Sequence, residues 1–111
     1  MTTFDERAKT FERKFAHDEE LRFKATVRRN KLFGLWAAEK LGLTGDEAEA
    51  YAKTVVRADF EEPGDEDVLR KVRADFEAKG VDQSQHQLER TLLDKMAEAV
   101  RQIETDPGKA S

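Results

Sequence analysis

A helix that is apolar on two sides must be covered on two sides, and the stretch Leu21 to Leu43, LRFKATVRRNKLFGLWAAEKLGL, reads as such a helix. At about 100° per residue, Leu21, Ala25, Leu32 and Trp36 fall on one side, while Phe23, Val27, Ala38 and Leu41 fall nearly opposite. Its second half, from Lys31, is the most apolar part of a chain in which 40% of residues are charged and 38% hydrophobic. That balance suits amphipathic helices whose stripes are buried and whose other faces are solvated. The expectation is an all-α fold, a four-helix bundle built around this stretch, carrying an amphipathic N-terminal segment free to move.

The N-terminal segment is set apart by the phase of its stripe. Phe4, Ala8, Phe11 and Phe15 share one face, with Arg7, Lys9, Arg13 and Lys14 among the charges around it. Continued without a break, that face points about 80–90° away from the Leu21, Leu32, Trp36 side. The slip falls at Ala16 to Glu20. An isolated helix of this length is marginal in water, so the segment needs a surface, its own domain or another protein. The division expected is residues 1–19 as a separate segment, 20–106 as the bundle, and 107–111 as a frayed tail.

Helix signals punctuate the remainder. Gly42 is placed to end the central helix in a left-handed turn. Gly34 inside it, costly in a helix, marks the close approach of another helix. Thr44-Gly45-Asp46-Glu47 reads as a capping box for a second helix running to about Phe60, where Glu61-Glu62-Pro63-Gly64 stops it. Asp65 is placed to cap a third helix that closes at Gly80. Asp82 or Ser84 starts a fourth, striped by Leu88, Leu92, Met96, Val100 and Ile103. The hexamer Val56-Arg57-Ala58-Asp59-Phe60-Glu61 recurs from Val72 to Glu77, which reads as two helix ends meeting the same packing problem.

Composition excludes several kinds of chemistry. There is no cysteine, hence no disulfide, thiol catalysis or thiolate metal site, and a cytoplasmic location fits. The net charge of −4 interleaves 20 basic with 24 acidic residues, leaving no field for nucleic acid. No apolar run approaches a membrane span. Neither serine has a base and orienting group in view, so no catalytic residue is assigned and the chain does not read as an enzyme. His17-Asp18-Glu19-Glu20 lacks the third ligand and second shell a metal site needs; no metal residue is assigned, and a solvated acidic hinge or a pH-sensing His17 are the remaining readings. Lys24, Arg28, Arg29 and Lys31 form a basic cluster on the central helix. It is either a solvated strip paired with acids of neighbouring helices or, through Arg28 and Arg29, a phosphate or nucleotide contact.

FDER at Phe4–Arg7, HDEELRFK at His17–Lys24, RRNKLFGLWAAEKLG at Arg28–Gly42 and GDEDVLRKV at Gly64–Val72 together resemble the zeta subunit of the alphaproteobacterial F-type ATP synthase, over nearly the whole chain. The resemblance implies a four-helix domain and a regulatory inhibitor of ATP hydrolysis. Its N-terminal segment enters the catalytic head, between catalytic subunits and the rotating central stalk, and blocks rotation. Carried onto this chain, that segment is residues 1–19, with Phe4, Phe11 and Phe15 as apolar anchors and Arg7, Arg13 and Lys14 setting register. The partner expected is the catalytic head of the membrane-bound synthase, with no insertion into the membrane, and the free protein is expected to be a monomer. No cofactor is required, though the resemblance also carries weak ADP or ATP binding. Two other readings stay open, an adenine-nucleotide-binding helical sensor and a generic helical interaction module.

Overall fold

A computed structural model describes residues 19–59 and 65–105. Four helices account for most of them: α1 (Glu19–Lys40), α2 (Gly45–Asp59), α3 (Glu66–Lys79) and α4 (Gln85–Thr105). Helix α1 packs against all three others, most extensively against α2 and α4, so the central helix expected from the two-sided pattern is central. The Glu61 to Gly64 stop and the phenylalanine of the first hexamer, Phe60, lie outside the described residues. So do all the anchor and register residues assigned to the N-terminal segment, together with His17 and Asp18.

The buried face of α1 differs from both expected sides and lies between them. Ala25, Arg29, Asn30, Phe33, Gly34, Ala37 and Ala38 are its buried residues. Leu21, Leu32 and Trp36 are half-buried at one flank; Val27 is half-buried and Phe23 is 55% exposed at the other. The large side chains drew attention to the flanks because the middle of the arc is occupied by small and polar residues. Those small residues let the neighbouring helices come close.

The core has two parts. The larger gathers Phe33 and Ala37 of α1, Val55 of α2, Val68, Leu69, Val72 and Phe76 of α3, and Leu88 and Leu92 of α4. The smaller joins Ala25 to Val100 and Ile103, with Met96 beside them. Arg29 and Asn30 lie along α1 between the two. Trp36 stacks on Phe33, with centroids 5.6 Å apart and planes 13° from parallel, and meets Phe76 at 5.8 Å. The hexamer copies do not play equal parts: Val72 is fully buried, whereas Val56 is half-buried because Val55 takes the core position of α2.

Gly34 performs the expected role. A Cβ there would sit 2.7 Å from Ala52 Cα and 3.2 Å from Val55 Cβ, so α1 and α2 cross with backbone near backbone. Alanine at this position would gain about 1 kcal/mol of helix propensity. The contact is with backbone, which cannot move without displacing the helix, and overpacking typically costs about 1–3 kcal/mol. Gly34→Ala is therefore expected to lower the urea midpoint; a raised midpoint would show that α2 yields freely.

The helix ends follow the sequence in three places and depart from it in two. At Gly42 the Gly42 and Leu43 amides donate to the Glu39 and Ala38 carbonyls, and at Gly80 the Gly80 and Val81 amides donate to Glu77 and Phe76, both glycines having positive φ. Ser84, not Asp82, caps α4: the Gln87 amide donates to Ser84 Oγ at 3.1 Å and the Ser84 amide to Gln87 Oε1 at 2.8 Å. At α2 the bonds run through the Thr44 carbonyl, which accepts from the Glu47 and Ala48 amides, and Gly45 has φ 56°, outside the helical range a capping box needs. Asp65 holds the N-cap position of α3 without a side-chain cap bond. Its carboxylate is instead engaged by Arg29, 3.0 Å away, in a charge-assisted contact.

Helices α2 and α3 are tied by Tyr51, whose hydroxyl donates to Asp75 Oδ2 at 2.7 Å. Lys71 Nζ donates to the same oxygen at 2.9 Å and stands 5.1 Å from the ring centroid. Burial, and then the hydrogen bond and charge of Asp75, push the Tyr51 phenol far above its ordinary value. Below about pH 10 neither the folded nor the unfolded chain carries a phenolate, so this stabilisation is fully present. Above that pH the unfolded chain ionises while the folded one does not, and stability falls. Tyr51 is the only tyrosine, so an alkaline titration is expected to show phenolate absorbance rising together with loss of helix. Ionisation near pH 10 in a fully helical protein would contradict it.

A groove with a basic rim on the α1 and α2 face

Beside the Gly34–Ala52 crossing a groove of about 980 Å³ opens on the surface. One wall is a single face of α1, repeating at three- and four-residue intervals from Glu20 through Phe23, Lys24, Val27, Arg28, Lys31 and Leu32 to Leu35. The other wall is Glu49, Ala52, Lys53, Val56 and Arg57 of α2, with Gln102 of α4 at one side. Apolar and cationic residues thus alternate. Phe23, Val27, Leu32, Leu35, Ala52 and Val56 supply apolar surface, and Lys24, Arg28, Lys31, Lys53 and Arg57 supply five cations against two carboxylates. In a chain of net charge −4 this is a local reversal of sign.

The two candidate arginines part company here. Arg28 is half-buried, lines the groove and donates from Nη1 to Gln102 Oε1 at 2.9 Å, which fixes it across to α4. Arg29 is buried with its side chain 5% exposed, and its guanidinium serves Asp65 and Asn30, donating to Asn30 Oδ1 from Nε at 3.0 Å and from Nη2 at 2.7 Å. Lys24 lies 3.3 Å from Glu20, one turn back. The described residues therefore set Arg28, but not Arg29, beside Lys24 and Lys31.

Reading the sequence alone missed the contribution of α2. The signal was present in Val55-Val56, which stand about 100° apart on the helix, so that with Val55 in the core Val56 turns toward its edge. Val56 was the surplus residue, with Lys53 and Arg57 flanking it at the same face. On α1 the side holding Phe23 and Val27, expected to be covered by another helix, is the groove wall.

Among the described residues no cluster of three or more His, Cys, Asp or Glu is placed to hold a metal ion, and no helix is long and apolar enough to cross a membrane. The groove lining is mixed, apolar and cationic, and no nucleophile–base pair is assigned within it.

Residues 1–102 match the family described as ATPase inhibitor subunit zeta. A solved structure described as the solution NMR structure of a protein is similar with a TM-score of 0.70 and 49% sequence identity, covering 78% of this chain and 98% of its own. No curated protein matches the chain. With the match running from the first residue through most of α4, the chain belongs to the ATPase inhibitor subunit zeta family, whose members are regulatory subunits and not enzymes.

Proposed function

We propose that the protein inhibits ATP hydrolysis by the F-type ATP synthase through residues 1–19, which insert as a helix into the catalytic head while the four-helix bundle serves as their carrier. The observation that carries this reading is the extent of the family match, which takes in the amphipathic segment as well as the bundle. Phe4, Phe11 and Phe15 supply the buried anchors that commonly dominate an interface, and Arg7, Arg13 and Lys14 steer and register the helix. Inhibition needs only that one rotational state be held below the others in free energy, by differential contact with the segment.

The test is deletion of residues 1–18. The truncated chain is expected to keep the helical signal and urea midpoint of the bundle and to lose inhibition of isolated catalytic heads. Undiminished inhibition by the truncated chain would overturn the proposal. A second reading, weak ADP or ATP binding, draws on the rim that places Arg28 beside Lys24, Lys31, Lys53 and Arg57. Saturable amide shifts at these residues on nucleotide titration are its expected result, and their absence would end it.

A further inference from the structure

We propose that in the free protein residues 1–18 fold back as an amphipathic helix into the groove between α1 and α2, so that the inhibitory segment is latched on its own carrier. The inference rests on the assignment of these residues as the inhibitory segment and adds how they are held before they meet the ATPase. Three observations point to this occupant. The chain leaves α1 at Glu19, and Glu20 lines the end of the groove, so residues 1–18 begin where the groove begins. Their length fits: with Ala16 to Asp18 taken up by the turn, 15 helical residues reach about 22 Å, and the α1 wall from Glu20 to Leu35 runs about 22 Å. Their chemistry fits as well. The Phe4, Phe11, Phe15 stripe matches the apolar positions Val27, Leu35 and Val56; of the charges flanking the stripe, Asp5 and Glu12 on one side can meet the cations of the rim, while Arg7 and Lys14 lie on the other.

Reversing direction near Ala16 to Asp18 would lay the segment antiparallel along α1, with Phe15 close to the first turns of that helix and Phe4 toward Leu35. The phase slip at this point of the sequence is then the turn itself. Latch and inhibition compete for the same three phenylalanines. A segment held closed most of the time binds its target with an apparent affinity reduced by the fraction that is open.

The absence of cysteine allows a single nitroxide to be attached through Thr10→Cys, on the polar side of the segment, in the full-length chain. Amide signals of Lys31, Leu35 and Val56 are expected to be broadened away, while Arg73 and Glu77 of α3 keep theirs. Leu35→Asp should restore the groove signals and lower the half-inhibitory concentration roughly five- to tenfold, the gain expected when a mostly closed latch is opened. Leu35→Asn serves if the aspartate disturbs the core signals of Phe76 and Val100. Broadening confined to the residues next to Glu19 would overturn the proposal. So would groove broadening that survives Leu35→Asp, or broadening that reappears in an unlabelled isotopic chain mixed with the spin-labelled one, which would mean that a second copy occupies the groove. These readouts need no ATPase, so failure of the latch and failure of the deletion assay are separate results.

Discussion

Phe33→Ala is expected to remove about 3–5 kcal/mol of stability, the range for deleting a fully buried aromatic ring. Phe33 has no exposed surface and shares the larger core with residues of the other three helices. It also supplies the ring on which Trp36 stacks. The loss is large beside the roughly 5–15 kcal/mol that holds a typical domain together. Along the buried face of α1 the neighbours of Phe33 are Arg29, Asn30, Gly34 and Ala37, none of them a large apolar side chain that could fill the gap. Chemical denaturation should show a lower midpoint at unchanged slope, with the fluorescence of the single tryptophan shifted toward that of an exposed indole. Phe23→Ala, at a side chain 55% exposed, should cost well under half as much. Equal costs at the two positions would mean that the core is not centred on Phe33.

The same two phenylalanines mark what could be read in the sequence. Helix number, helix order and the centrality of α1 were legible, because capping residues and left-handed glycines act locally and need no partner to be recognised. The glycine approach at Gly34 was legible for the same reason: a residue costly to a helix had to be offset by something outside it. Which side of α1 faces the core was not. Wheel arithmetic weights large apolar residues, and here Phe33 is the only large one in the centre of the buried arc, between alanines, a glycine, an asparagine and an arginine. Asp65 was misread as a side-chain cap for a related reason. Its carboxylate answers a cation 36 positions earlier in the chain, and no local rule contains that distance. The groove suffered the same limit, since Arg28 acquires Lys53, Val56 and Arg57 as neighbours only when α1 and α2 cross.

The buried arginine leads to the second large effect, and the sign depends on which group is left behind. Arg29→Met keeps most of the aliphatic packing and removes three contacts, one to Asp65 and two to Asn30 Oδ1. Asp65 tolerates this, since its side chain is 56% exposed and water can replace the guanidinium. Asn30 does not. It is 1% exposed, its Nδ2 already meets no acceptor among the described residues, and its Oδ1 would lose both donors. Leaving a buried acceptor unsatisfied costs about 1–3 kcal/mol, so Arg29→Met is expected to destabilise by about 2 kcal/mol. Adding Asn30→Leu removes the orphaned amide, and replacing both partners of a buried polar contact by apolar groups can be nearly neutral or stabilising. The double variant should therefore lie within about 1 kcal/mol of the parent, with a coupling of about 1–2 kcal/mol in the double-mutant cycle. Strictly additive losses would place the cost of Arg29→Met at Asp65 and the start of α3. Recovery in the double variant would show that the polar layer between the two cores adds little net stability, and that Arg29 is held in place mainly by the asparagine beside it.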